Sequence, residues 1–444
     1  MGKSVSDFQS LAELKSVMQR VGVGRLYVKT LAANDNSKNQ VYLAGGFSVL
    51  NQLPTSTPEP QEGNTTLWAR MRLSWLHADG TSAEAAGTKL ILYPQYPEVR
   101  LSGFLQGCKN GPNELFNPTK LGRTPGRVLF FGVAEDNRVF SYVAAADTSL
   151  ALEIAALKVE VDKTTLLQLS LTEQRDSRTI LLSELTRIHR LGWIASKGLR
   201  ADGSIQPCNA LNCVGYTLEA ELGVARNGRS EPDYLGWEIK ASQVANYLRP
   251  PTAKAQTLFT PEPNGGFYKT SGPEAFVRKY GYADRQGRED RLNFGGVFRN
   301  GVRAELTGLT LAIHGYDAIK GKIDDASGAI VLLDDNQEIA SSWSFASLLA
   351  LWSRKHGKAA YIPAEKSDED WFYRYGANVR LAIGTDFLLF LKAVQAGAVY
   401  YDPGIKVEDA STSSPKLKRR SQFRVGSNGL DALYHSVETV ALEN

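Results

Sequence analysis

The chain has 444 residues, of which 43% are hydrophobic and 22% charged, with a formal net charge of +4 at pH 7. This length exceeds one ordinary core and predicts two globular domains, while so small a charge neither demands nor excludes a polyanionic partner. No apolar run approaches the roughly 18–20 residues that cross a bilayer, and the first residues show no signal-type apolar stretch, so no membrane partner is expected and the expected location is cytoplasmic. The three cysteines argue against a disulfide scaffold. Cys208 and Cys213 lack a further Cys or His at metal-ligand spacing and are expected as buried or free thiols.

In chain order, an amphipathic helix is predicted over residues 6–20. Short segments with alternating or β-branched and aromatic character follow, among them "RLYVKTL", "NQVYLAG", "TKLILYP", "EVRLSGF" and "GRVLFFGVA". Turn-rich pieces such as "TSTPEPQEGN" separate them, and the spacing predicts a closed or partly closed β-barrel. The character changes near residue 175, where "TILLSELTRIHRLGWIAS" takes up helical periodicity. A mixed α/β pattern follows: helical "GYTLEAELGV", the strand "LGWEIKAS", an irregular glycine-rich region from 260 to 296, a helix in "SWSFASLLALWSRKHG", a strand "WFYRYGANVRLAI", a helix "TDFLLFLKAVQAG" and final strands around "VYYDPGIKVED" and "SQFRVGS". Regular βαβ units are too few for a doubly wound sheet.

The chemistry concentrates in "EPDYLGWEIKAS", residues 231–242. Residues two apart on a strand share a face, which puts Glu238 and Lys240 together and sends Ile239 to a core. Asp233 lies five residues before Glu238, and Gly236 lets the chain bend between them. Two carboxylates held together repel unless a cation lies between them. Magnesium, with its oxygen ligands and retained waters, suits that role, and a neighbouring lysine can hold or help deprotonate a water that attacks phosphorus. Glu219, on the preceding helix, is placed to support the same cluster. Glu221, two residues on, cannot share its face and is expected to be solvated. The histidines, His77, His189, His314, His356 and His435, have no partner at ligand spacing and are expected in core or surface roles.

The phrases "GWIASKGL", "NCVGYTLEAELGVARNGRSEPDYLGWEIKA", "LFTPEPNGGFY" and "YGYADRQGREDRLNFGG" resemble the MvaI/BcnI restriction endonucleases, relatives of the MutH mismatch-repair nicking enzyme, over roughly residues 180–440. The resemblance implies an α/β nuclease fold of the PD-(D/E)XK type, with Asp233, Glu238 and Lys240 as its Asp, Glu and Lys, Glu219 as a helical Glu, and Mg2+ held by Asp233 and Glu238. The spacing of Asp and Glu follows MvaI rather than MutH. The resemblance also places DNA-contacting residues in the carboxyl-terminal strands, so that Arg419, Arg420 or Arg424 is expected on base edges and Lys416 and Lys418 on phosphates.

Residues 1–172 form the other expected domain, against 179–444 for the nuclease. "LYVKTLAANDNSKNQVYLAGGFSVLNQL" is similar to the amino-terminal effector domain of EcoRII, which implies a DNA-binding β-pseudobarrel whose two loops enter the major groove. Those loops are residues 34–40 and 94–104, with Asn36, Lys38, Asn39, Gln40, Glu98 and Arg100 as candidate readers of base edges. Taken together, the resemblances imply a monomeric Mg2+-dependent type II endonuclease cutting double-stranded DNA at a short GC-rich site such as CCWGG, with a second DNA copy on the effector domain and a methyltransferase as genetic partner. The alternatives are a modification-dependent endonuclease whose barrel reads a modified base, and a DNA-binding protein that no longer cuts.

Overall fold

Ser10 opens the first helix, its hydroxyl accepting the Glu13 N–H, and Leu14, Val17 and Met18 bury one face of Leu11–Arg20. The computed structural model describes the chain except residues 1–6, 34–38, 62, 158–165, 172–176, 211, 227–231, 249–254, 427–428 and 443–444. It divides into two units, Met1–Asp176 and Ser177–Asn444.

The first unit holds two sheets. One runs in the spatial order Leu167–Leu169, Val23–Leu31, Arg127–Ala134, Val139–Ala144, Leu73–Leu76, Ser82–Glu84. Only the pairing of Val139–Ala144 with Leu73–Leu76 is parallel. Arg127–Ala134 is buried at every residue, and the apolar run Val128–Ala134 is what a strand covered on both faces requires. The second sheet runs Val41–Gly45, Glu98–Ser102, Lys89–Tyr93, Leu67–Arg70, Glu59–Pro60. Among the described residues the strands pair as two sheets and do not close into a single barrel, since alternation specifies strands and faces but not the pairing of a first strand with a last. Residues 98–102 are a strand, as the character of "EVRLSGF" predicts and not the loop expected over 94–104.

In the second unit, Glu238–Gln243 lies parallel to Lys358–Lys366, which also pairs with Phe372–Tyr375 and Asn378–Ile383. Leu181, Leu185 and Ile188 of the helix Ser177–Arg190 pack in one core with Ile239, Ile362 and Leu381. The single strand expected over 371–383 breaks at Gly376 into Phe372–Tyr375 and Asn378–Ile383, which pair antiparallel with opposite sides of Lys358–Lys366, and a Cβ at Gly376 would stand 1.9 Å from the Tyr247 carbonyl oxygen. The region expected to be irregular contains two short helices, Phe267–Ser271 and Pro273–Tyr280, and the strand Arg291–Gly295. The helix expected to begin at 342 starts at Phe345, with the Ser344 hydroxyl accepting the Ser347 N–H, because Ile339–Ser344 is a strand. Among the described residues no helix is long and apolar enough to cross a membrane.

Candidate active site

Tyr234 and Trp237 exchange backbone hydrogen bonds of 3.0 and 2.8 Å around Leu235 and Gly236. Both central residues have positive φ, 48° and 83°, the signature of a type I′ turn. The turn folds Asp233 back onto the strand it precedes, where its Oδ2 accepts the Ile239 N–H at 2.9 Å. Trp237, 1% exposed, and Ile239, 6%, pin the strand into the core from one side. On the other side Lys240 Nζ donates to Glu238 Oε1 at 2.7 Å.

Glu219 lies in the last turn of the helix Cys213–Glu221, which packs against this strand. Its carboxyl is pushed up to about 7, first by burial and then by the nearby Asp233 and Glu238 carboxylates. Three acids from a turn, a strand and a helix therefore share one electrostatic environment. Burial works against the charge on Lys240, and the adjoining Glu238 carboxylate outweighs it, so the net shift is upward and the side chain is held as an ammonium.

A polar chain lies alongside. Tyr361 sits opposite Lys240 in the parallel register, and its hydroxyl is 2.9 Å from that of Tyr434. Tyr434 in turn reaches His356 Nδ1 at 3.1 Å, and His356 Nε2 lies 3.1 Å from the Leu258 carbonyl. A carbonyl can only accept, so Nε2 carries the proton and, in the neutral ring, Nδ1 accepts from Tyr434. Sequence reasoning missed the Tyr361 and Tyr434 members, since the strand Lys358–Lys366 has no alternation to announce its faces.

Two expectations are corrected. Glu221 is not solvated: its side chain is 11% exposed and pairs with Lys197 at 2.5 Å and Arg187 at 3.6 Å. Cys208 and Cys213 are joined in a disulfide rather than held as thiols, at the start of the helix that carries Glu219.

The candidate DNA contacts divide by position. Asn36 and Lys38 lie outside the described residues. Asn39 adopts a positive φ of 49°. Gln40 Oε1 is 3.2 Å from the Tyr93 hydroxyl and 3.5 Å from Arg100 Nη1, and Arg100 pairs with Glu98 at 2.6 Å. Gln40, Tyr42 and Arg100 also line a cavity of about 450 Å³. In the second unit Lys416 and Lys418 form exposed pairs with Asp409 and Glu408, at 3.0 and 2.7 Å. Arg419 is 52% exposed and Arg420 is exposed. Arg424 is turned inward, bonded to Asp402 at 2.6 Å and to the Ala255 carbonyl at 2.7 Å.

Among the described residues no three or more His, Cys, Asp or Glu side chains are gathered into a ready metal cage. The hard oxygen donors of Asp233 and Glu238, with a third acid beside them whose charged form is disfavoured, are of the kind that suits a hard divalent metal ion.

A family model described as the MvaI/BcnI restriction endonuclease family matches residues 182–434. Among solved structures, the chain is similar to "Restriction endonuclease MvaI-cognate DNA substrate complex", at 18% identity and a TM-score of 0.45, covering 60% of this chain and 99% of that one. It is also similar to "Restriction endonuclease MvaI in the absence of DNA", at 17% identity and a TM-score of 0.34, covering 61% and 100%. No curated protein matches the chain.

Proposed function

Since the chain belongs to the MvaI/BcnI restriction endonuclease family and is a DNA endonuclease, we propose that it hydrolyses phosphodiester bonds at the pocket formed by Asp233, Glu238, Lys240 and Glu219. The observation that carries this reading is the Asp233 carboxylate folded onto the very strand that presents Glu238 and Lys240 on one face. Asp233 and Glu238 would hold magnesium, which when bound stabilises charge on the phosphate oxygens and lowers the pKa of a water. Glu238 and Lys240 orient one another, and the Lys240 ammonium donates to a water or phosphate oxygen placed beside it. Glu219 would add a third acid to the same cluster, its carboxyl pushed up to about 7 by burial and by the Asp233 and Glu238 carboxylates. Ile239 and Trp237 keep the strand from shifting during these steps, because their burial fixes its register.

The first unit is proposed as a second DNA-binding module. Gln40 and Arg100, far apart in sequence, meet at 3.5 Å and carry the amide and guanidinium groups that read base edges. A short GC-rich target, stimulation by a second copy of it and protection by a partner methyltransferase complete the proposal.

The test is a digest of unmodified phage DNA by the full chain, with and without magnesium, followed by sequencing of the fragment ends. Discrete ends that require magnesium and disappear in Glu238→Ala are expected. Absence of cleavage, or ends that persist in Glu238→Ala, rejects the assigned site. For the first unit, a one-site plasmid should be cut slowly and rescued by a site-bearing oligonucleotide, and equal rates in both conditions reject the effector role.

A further inference from the structure

Tyr361, Tyr434 and His356 take no part in the steps above, yet they form a chain that ends beside Lys240. At 1%, 5% and 0% exposure the chain is dry. Ala360 and Ile362 share the core of Ile239, so Tyr361 lies on the other face of Lys358–Lys366, directly across the parallel ladder from Lys240. Burial raises the Tyr361 phenol to about 12, and after its bond to Tyr434 the charges that act on it most are those of Lys240 and then Glu238. Burial likewise holds Tyr434 well above the usual phenol range. Each hydroxyl therefore carries one proton at neutral pH.

The direction of the chain is fixed at its far end. Leu258 has no partner where the pairing of Gln256–Phe259 with Phe423–Val425 shifts register, and its carbonyl accepts the His356 Nε2–H at 3.1 Å. The His356 ring is stacked on Trp352, with centroids 4.2 Å apart and planes at 18°, which holds its orientation. With Nε2 protonated, Nδ1 takes the Tyr434 proton, and the Tyr434 oxygen takes that of Tyr361. Both hydroxyls have then spent their protons, and the Tyr361 oxygen offers lone pairs alone. Lone pairs attract an ammonium and repel a carboxylate, which sorts Lys240 from Glu238 on the shared face. The 2.7 Å bond to Glu238 uses one of the three N–H groups of Lys240.

We propose that Tyr361, oriented by Tyr434 and His356, is a positioning residue that accepts a second N–H of Lys240 and so aims the third at the attacking water or phosphate oxygen. This role rests on the endonuclease reading of the Lys240 pocket and extends it to residues that touch no substrate. An ammonium held by Glu238 alone turns about one contact, whereas two contacts set the direction of the remaining N–H.

The full chain is compared as wild type, Tyr361→Phe and Tyr434→Phe, the second variant keeping the Tyr361 hydroxyl but removing its acceptor. Cleavage of unmodified phage DNA gives kcat and KM. Tyr361→Phe lowers kcat about tenfold with KM unchanged, and Tyr434→Phe lowers kcat in the same direction. The second readout needs neither DNA nor metal: mass spectrometry follows acylation of Lys240 by an amine-reactive reagent, relative to Lys358 on the paired strand. The ratio rises in both variants because Lys240 is less tightly held, while local unfolding would raise both lysines together. A residue with a merely structural role lowers the melting temperature and moves neither readout. A wild-type kcat or an unchanged acylation ratio in Tyr361→Phe overturns the proposal. If Lys240→Ala cuts like the wild type, the pocket reading fails instead, and the acylation ratio alone decides whether Tyr361 holds the ammonium.

Discussion

Lys240 and Glu238 form a 2.7 Å ion pair from the same face of one strand, with side chains only 19% and 4% exposed. A pair so sheltered is costly to break, since a lone carboxylate remains out of water. Lys240→Ala is expected to reduce cleavage by at least about a hundredfold and to lower unfolding free energy by about 3 kcal/mol. Single-turnover cleavage and urea denaturation measure the two effects. Wild-type cleavage in that variant would mean the active site lies elsewhere.

Leu235 occupies the left-handed region at φ 48° with its side chain 51% exposed. A branched residue gains nothing from that conformation, which costs roughly 1 kcal/mol relative to a residue that tolerates it. Leu235→Asn is expected to stabilise the chain by up to about 1 kcal/mol while retaining cleavage, because the turn that delivers Asp233 keeps its shape. A lower denaturation midpoint in the variant would show that the leucine makes contacts that outweigh the strain.

Asp284 accepts the backbone N–H groups of Arg288 and Gln286, at 3.0 and 2.9 Å, and is held far below the usual carboxylate range by the Arg288 bond first, with Asn293 and Arg291 assisting. A depressed folded-state pKa contributes stability that is present above the unfolded value near 4 and is lost as pH falls through the folded value. Asp284→Asn should therefore be less stable than wild type at neutral pH, with the gap narrowing progressively below about pH 4. A gap independent of pH in thermal melts from pH 7 down to the acid limit contradicts this account.

The Cys208–Cys213 disulfide closes a short loop at the head of the helix bearing Glu219. Loop-closure entropy for so few residues corresponds to about 2 kcal/mol. Reductant should lower the melting temperature of the wild type and leave that of a Cys208→Ser, Cys213→Ser double variant unchanged. Alkylation and mass spectrometry should show Cys108 modified without reductant and the other two only with it.

The face shared by Glu238 and Lys240 is readable in the sequence because its rule is local. Period-two alternation puts Glu238 with Lys240 and Ile239 with the core, and the structure agrees in each case. The helix Cys213–Glu221 was likewise visible, as were Ser177–Arg190 and Phe387–Gln395, each announced by apolar residues at helical spacing. Less legible was Glu221, whose place beside Lys197 and Arg187 depends on a strand and a helix that no short window contains.

Which residues could cooperate was thus set by the order of amino acids within a few positions, since backbone geometry dictates side-chain direction there. Which of them meet was settled by folding over long separations. The strand Lys358–Lys366 became the partner of Glu238–Gln243, and Tyr361, Tyr434 and His356 were joined beside Lys240. The first unit's strands divided into two sheets by the same principle, and Gly295 came to face Gly404. Such pairings follow from the burial and hydrogen bonding of the whole chain at once, a sum in which local periodicity is only one contribution.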